Sequence, residues 1–227
     1  MQQFDLDELN KKLIASGLEL MRDEEGLHLI GGGLSLMADF KDMLPRLKQS
    51  NLEHEILIKA ARIKSMPMPQ TVVDATAGLG EDSLILAAAG FNVVLYEYDS
   101  VIAALLDDAL ERAKSIPELK DIVARMELHN ENSIEAMQKL DFTPDIVLLD
   151  PMFPERQKSA KIKKKFQLLQ QLESPCSDEI DMFQAAESTG AKRIVVKRPA
   201  KGPQLAAKKP SHNISGKAIR YDCYIYA

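Results

Sequence analysis

From Thr71 to the C-terminus, short apolar runs alternate with helical segments, and this alternation limits the fold more than any other feature. Strand-like runs fall at residues 71–76, 92–98, 125–129, 145–150 and 193–197. Several are apolar without a break, as in Ile146-Val147-Leu148-Leu149, so neither face of such a strand can look into water. Helical patterns cover residues 82–89, 101–115, a turn at 134–140, 161–172 and 178–189. Strands joined through helices run parallel, and the helices cover both faces of the sheet. Residues 217–226 set Ile219, Tyr221, Cys223 and Ile225 at every second position and read as a closing strand.

The first 66 residues follow another plan. A short helix over 7–16 stops at Gly17, and a hairpin pairs 18–21 with 27–30 around Asp23-Glu24-Glu25-Gly26. Gly31-Gly32-Gly33 leads to a third strand at 34–37, and a helix is expected over 53–64. Pro67 and Pro69 end that helix. The expected organisation is a small N-terminal α+β part, 1–66, and a larger α/β domain, 67–227.

Composition narrows the class. A chain of 227 residues buries a core without help from disulfides or metal. Cys176 and Cys223 lack metal-ligand spacing, and His28, His54, His129 and His212 are scattered, so no metal site is expected. The N-terminus has no basic-apolar leader pattern and no apolar run reaches membrane length, which predicts a soluble, cytoplasmic protein. The net charge of −5 conceals a split: residues 1–150 carry 14 Lys/Arg against 27 Asp/Glu, residues 151–227 carry 15 against 7. Such polarity suits a polyanion meeting one face of the molecule.

Val72-Val73-Asp74-Ala75-Thr76-Ala77-Gly78-Leu79-Gly80-Glu81-Asp82 runs from a buried strand through a glycine turn into a helix. Gly78 and Gly80 let the backbone approach a ligand. A dinucleotide fingerprint needs a third glycine where Ser83 stands. Asp74 at the strand end disfavours a pyrophosphate and suits a cationic aminoacyl cofactor, S-adenosyl-L-methionine (SAM). Glu97, nineteen residues after Gly78, can accept hydrogen bonds from both ribose hydroxyls. Asn132 and Ser133 follow the third strand, where short polar side chains can read an adenine edge.

The strand over 145–150 delivers Asp150-Pro151-Met152-Phe153-Pro154 to the carboxyl edge of the sheet, where open α/β sheets bind ligands. The form is (Asp/Asn)-Pro-Pro-(Phe/Tyr), with Met152 for the second proline. An exocyclic base amine is a poor nucleophile because its lone pair is delocalised. The Asp150 carboxylate and Pro151 carbonyl can accept its two N–H groups and aim the lone pair, while Phe153 stacks on the flipped base. Asp150, Pro151 and Phe153 are therefore the candidate catalytic residues. Arg156, Lys158, Lys161, Lys163, Lys164 and Lys165 follow directly, and Lys197-Arg198 ends the next strand at the same edge. All eight are candidate RNA phosphate contacts.

Together these stretches, with Ala103-Ala104-Leu105-Leu106-Asp107-Asp108, Gln157-Lys158-Ser159-Ala160, Val195-Val196-Lys197-Arg198-Pro199, Gly216-Lys217 and Arg220-Tyr221-Asp222, resemble the bacterial ribosomal RNA small subunit methyltransferase J family. The resemblance covers about Thr71 to the C-terminus. It implies a Rossmann-like class I SAM-dependent methyltransferase: a mostly parallel seven-stranded sheet with helices on both faces. It also implies transfer of methyl to guanine N2 in 16S ribosomal RNA, with 16S RNA or the 30S subunit as partner. By position it implies cofactor contacts at Glu81, Asp82, Glu97, Tyr98, Asn132, Ser133 and Asp150. Glu81 and Tyr98 stand where the family usually has arginine, and Asn132 where it has serine. From the residues alone, another amine (adenine N6, a DNA base, a protein amide) or a non-catalytic RNA-binding assembly factor remains open.

Overall fold

The computed structural model describes residues 4–151, 166–172 and 178–226. The N-terminal part opens with α1 (Leu6–Leu13), capped by the Asp5 carboxylate, which accepts the Asp7 and Glu8 amides. Gly17 then adopts φ +67, and β1 (Leu18–Arg22), β2 (Leu27–Gly31) and β3 (Leu34–Leu36) form an antiparallel sheet.

Of the helix expected over 53–64 only α3 (Ile56–Ala61) forms, preceded by a separate short helix, α2 (Gln49–Leu52). Tertiary partners override local propensity at both ends. Glu55 takes an extended conformation before α3, and its carboxylate receives the Arg46 fork at 2.5 and 2.9 Å. Beyond Ala61, Arg193 donates to the carbonyls of Ala60, Ala61 and Arg62, and the Gln70 side chain bonds the Ile63 amide and carbonyl. These bonds satisfy the helix end, so the chain need not continue it.

The second part contains β4 (Thr71–Asp74), α4 (Glu81–Ala88), β5 (Asn92–Tyr96), α5 (Ser100–Lys114), the single turn α6 (Lys120–Val123), β6 (Met126–His129) and α7 (Ser133–Met137). It continues with β7 (Ile146–Leu149), α8 (Phe166–Leu172), α9 (Glu179–Ser188), β8 (Arg193–Pro199), β9 (His212–Ser215) and β10 (Ile219–Ile225). The seven strands lie in the order β6-β5-β4-β7-β8-β10-β9. The first five are parallel, and β10 runs antiparallel to β8 and β9. This is the expected class. Predicted element ends agree to within a few residues, but α6 and β9 have no counterpart in the sequence reading. The β9 segment His-Asn-Ile-Ser is short, polar and almost wholly exposed at the sheet edge. Residues 161–165 of the expected 161–172 helix lie outside the described residues.

Alternate side chains of the central strands feed two cores. Val72, Ile146, Leu148 and Val195 join α4, α5 and the N-terminal leucines. Val73, Val147, Leu149, Ile194 and Val196 pack against α7 and α9. Leu9, Leu20, Leu29 and Phe40 share the first core with Leu105 and Leu106, so the N-terminal part is packed onto the α5 side of the sheet. No helix among the described residues is long and apolar enough to cross a membrane.

Candidate active site

The strand order reverses between β4 and β7, and at such a switch point the loops leaving the two strands part and open a crevice. Both loops are pinned to each other before they part. The Ala75 amide donates to the Leu148 carbonyl at 3.0 Å, and the Asp150 amide donates to Thr76 Oγ1 at 2.7 Å. Asp150 thus leaves β7 in a fixed direction, beside the glycine loop.

Gly78 and Gly80 have φ of +56 and +77, a region that disfavours side chains. A Cβ on Gly80 would stand 2.6 Å from Leu106 Cδ1, so the turn is also pressed onto α5. A Cβ on Gly78 would meet nothing within 4 Å, so this stretch of backbone borders open space. Glu97 clamps the loop from β5: Oε2 accepts the Gly78 amide and Oε1 the Asp99 amide, both at 2.8 Å. Asn130 Nδ2 holds the Glu97 carbonyl in turn. The Asn132 side chain caps α7 through the Ile134 amide, and Ser133 is buried behind it.

Asp74 is buried, accepting the Ser83 hydroxyl at 2.6 Å and the Thr76 amide at 3.1 Å. Burial pushes its carboxyl up to about 6; those two bonds oppose the rise, and the Asp82 and Asp150 charges add to it. Lys197, at the end of β8, places Nζ 2.7 Å from Asp82 Oδ2 and 3.0 Å from Asp150 Oδ2. Burial disfavours its charge, but the Asp82 and Asp150 carboxylates outweigh that and hold the ammonium firmly protonated. Tyr221 faces Lys197 across the β8–β10 pair and is fully buried.

The structure therefore gathers Asp74, Gly78, Gly80, Asp82, Glu97 and Asp150 at the β4–β7 switch point of the sheet edge, and Pro151 is buried. Glu81 is exposed at the start of α4, and Tyr98 is three-quarters exposed just past β5. Phe153, Arg156, Lys158, Lys161, Lys163, Lys164 and Lys165 lie outside the described residues. Arg198 is not at the surface. It is 1% exposed, donating through Nε to the Pro203 carbonyl at 2.7 Å, with Glu179 Oε1 3.4 Å from its Nη1. Arg220 completes that clamp, forking onto Asp222 and donating to the carbonyls of Pro199, Ala200, Gly202 and Pro203. Together the two arginines shape the loop after β8.

Sequence reasoning missed Thr76, Ser83 and Tyr221. Ser83 had a signal: a hydroxyl replaces the third glycine of the dinucleotide pattern, and it is the anchor of Asp74. A cavity of about 580 Å³ opens along β5 and β6, lined by the stacked Tyr96–His129 pair and Glu135. It touches Asn132 but neither the glycine loop nor Asp150, so it borders the crevice and does not contain the reacting edge.

Asp74, Asp82, Glu97 and Asp150, with Lys197 bridging Asp82 and Asp150, form a donor set hostile to a pyrophosphate. The same set fits a cofactor with an ammonium, a sulfonium and ribose hydroxyls. No group of three or more potential metal ligands occurs among the described residues.

Known proteins agree with this geometry. A family model described as "Putative SAM-dependent methyltransferase" matches residues 4–226. The ribosomal RNA small subunit methyltransferase J of Neisseria gonorrhoeae (strain NCCP11945) is 39% identical over 206 residues, 89% of this chain and 81% of that protein. Its counterpart in Thioalkalivibrio sulfidiphilus is 43% identical over 182 residues, 79% of this chain and 71% of that protein. The crystal structure of a SAM-dependent methyltransferase from N. gonorrhoeae superposes with a TM-score of 0.75 at 32% identity, covering 96% of this chain and 91% of that one. Sequence, fold and crevice converge: the chain is a SAM-dependent methyltransferase and belongs to the ribosomal RNA small subunit methyltransferase J family.

Proposed function

We propose that this chain methylates the exocyclic N2 of a guanine in 16S ribosomal RNA, presented as naked RNA or within the 30S subunit. The observation that carries the reading is Asp150, fixed through Thr76 at the carboxyl edge beside the glycine loop. Bound SAM supplies an electrophilic methyl group on its sulfonium. The residues that would hold it are Glu97 for the ribose, the Gly78–Gly80 backbone, Asn132 and Ser133 near the adenine, and the acidic cluster for its positive charges.

The chain's own part is positioning and electrostatics. Asp150 Oδ and the Pro151 carbonyl accept the two N–H bonds of the guanine amine, which favours a pyramidal nitrogen with its lone pair directed at the methyl group. As the N–C bond forms, positive charge grows on nitrogen, and the Asp150 carboxylate stabilises it and takes the released proton on to water. Phe153 is the stacking partner for the flipped base.

Asp150→Ala should lower methyl transfer on the order of 100-fold or more. The measurement is transfer of labelled methyl from SAM to 16S RNA and to 30S subunits from cells lacking the enzyme. Full activity in the variant would refute the mechanism. Mass spectrometry that finds 16S RNA unchanged in the deletion strain would refute the substrate.

A further inference from the structure

We propose that Lys197 is a positioning residue for Asp150, keeping that carboxylate ionised and oriented as acceptor for the substrate amine, and that it does not serve as a phosphate contact. The inference rests on the proposed role of Asp150 as that acceptor. Lys197 reads in the sequence as part of a basic stretch, but its place in the fold is internal. The side chain is about one-fifth exposed, and its ammonium bridges Asp82 on α4 and Asp150 after β7, at 2.7 and 3.0 Å. A phosphate reaching this ammonium would have to approach two carboxylates within hydrogen-bond distance of it. Like-charge repulsion opposes that approach.

The crowding of acids gives the lysine its task. Asp74 ends β4, Asp82 sits in the first turn of α4, and Asp150 follows β7, so three carboxylates converge on one edge. Among the described residues, the other titratable or charged neighbours include Tyr221, opposite Lys197 on β10, and Arg46, which is forked onto Glu55. Tyr221 stays neutral, because burial and the Asp82 charge push its hydroxyl up. Among the described residues, Lys197 is thus the cation in contact with both Asp82 and Asp150. Without it, each carboxylate would favour protonation of the other. A protonated Asp150 would present a donor where the amine needs an acceptor. The lysine also ties together the three elements that bound the crevice, β8, α4 and β7, so it fixes where Asp150 Oδ2 points.

The test uses K197M and K197R in the full chain, with two independent measurements. The first needs no substrate: proteins carrying ¹³C-carboxyl aspartate are titrated by NMR, with the Asp150 resonance identified by its loss in D150N. In K197M that resonance should titrate about 1 to 3 pH units higher than in wild type, and in K197R it should stay at the wild-type position. The second is methyl transfer to 30S subunits as a function of pH and salt. K197M should lower kcat at neutral pH about tenfold or more and move the acid limb upward, without changing the salt dependence of RNA binding.

An unmoved Asp150 titration, with weaker RNA binding and a salt slope reduced by about 1, would make Lys197 a phosphate contact and overturn the proposal. If K197M does not fold, K197R decides. A positioning role predicts the wild-type Asp150 titration with a reduced kcat, because reach and geometry change; a phosphate contact predicts an unchanged kcat. Wild-type protein that transfers no methyl to ribosomal RNA would defeat the proposed substrate, while the NMR titration would still report the lysine's role.

Discussion

Asp74 shows how a single side chain can matter for both the loop and the stability of the fold. Its two partners, the Ser83 hydroxyl and the Thr76 amide, hold the turn that carries Gly78 and Gly80. Burial raises its carboxyl from the ordinary value of 3.8 to about 6, so the folded chain binds its proton more readily than the unfolded chain does. Stability is therefore highest below the ordinary range, falls as pH rises between about 4 and 6, and carries the full cost above that. A rise of this size corresponds to about 3 kcal/mol. Asp74→Asn removes the titration, and its amide can still accept from Thr76 and donate to Ser83. Urea unfolding at pH 4.5 and 7 should show wild type losing about 2 kcal/mol more than the variant across that interval, because part of the full loss falls below pH 4.5. Parallel losses would mean that Asp74 is not the group responsible. At this scale the sequence was most legible where a residue type answers a backbone need. Gly78, Gly80, Glu97 and Asp150 all fall at one crevice because strand ends and a tight turn fix their positions. The sequence did not reveal that Arg198 is buried or that Lys197 lies between two carboxylates, because composition does not distinguish a cation facing water from one enclosed by carboxylates or carbonyls.

Among the elements, α5 links the two parts of the chain. Asp99 caps it by accepting the Val101 and Ile102 amides, and Gly80 packs against its Leu106. Two turns further on, Asp108 accepts Arg22 from β1, the Leu27 amide of β2 at 3.0 Å and Arg112 Nε at 2.8 Å. Burial alone would raise this carboxyl, but the Arg112, Leu27 and Arg22 bonds prevail and hold it below the usual range. Asp108→Ala leaves these donors facing a carboxylate-shaped gap and should cost about 3 kcal/mol. Glu111→Ala, which removes only the exposed pair with Lys114, should change stability by about 0.5 kcal/mol or less. Denaturant midpoints of the two variants make the comparison, and equal effects would show that Asp108 is not a clasp. The parallel strands were legible because burial on both faces leaves unbroken apolar runs. The 53–64 helix was overcalled because Arg46, Gln70 and Arg193, all distant in sequence or outside the pattern, decide its ends. The β9 strand carried no apolar alternation and exists because β10 offers it an edge.

For the molecule as a whole, the sequence marks a change of plan near residue 66, yet the packing runs continuously across it. Leu9, Leu13, Leu20 and Leu29 belong to one apolar core with Leu84, Leu105, Leu106 and Val72. The charge split is likewise only partly a surface property. Of the described cations after residue 150, Arg193 caps α3, Lys197 bridges two acids, the buried Arg198 and Arg220 hold the loop after β8, and Lys208 pairs with Glu187. Among the described residues, exposed positive charge on that side lies at Lys192, Lys201, Lys208, Lys209 and Lys217. A shared core and the Asp108 clasp predict that the two parts unfold as one cooperative unit, although their topologies differ. Native-state hydrogen exchange is the suitable probe, because all five tyrosines lie after residue 90 and the chain has no tryptophan, so tyrosine optical signals report on one part only. The slowest amides of β1 and β2 should open with the same free energy as those of β4 and β7, within about 1 kcal/mol. Asp108→Ala should lower both sets together. Hairpin amides that open at a much lower free energy, or that alone respond to the substitution, would show that the N-terminal part is a separate folding unit merely resting on the methyltransferase core.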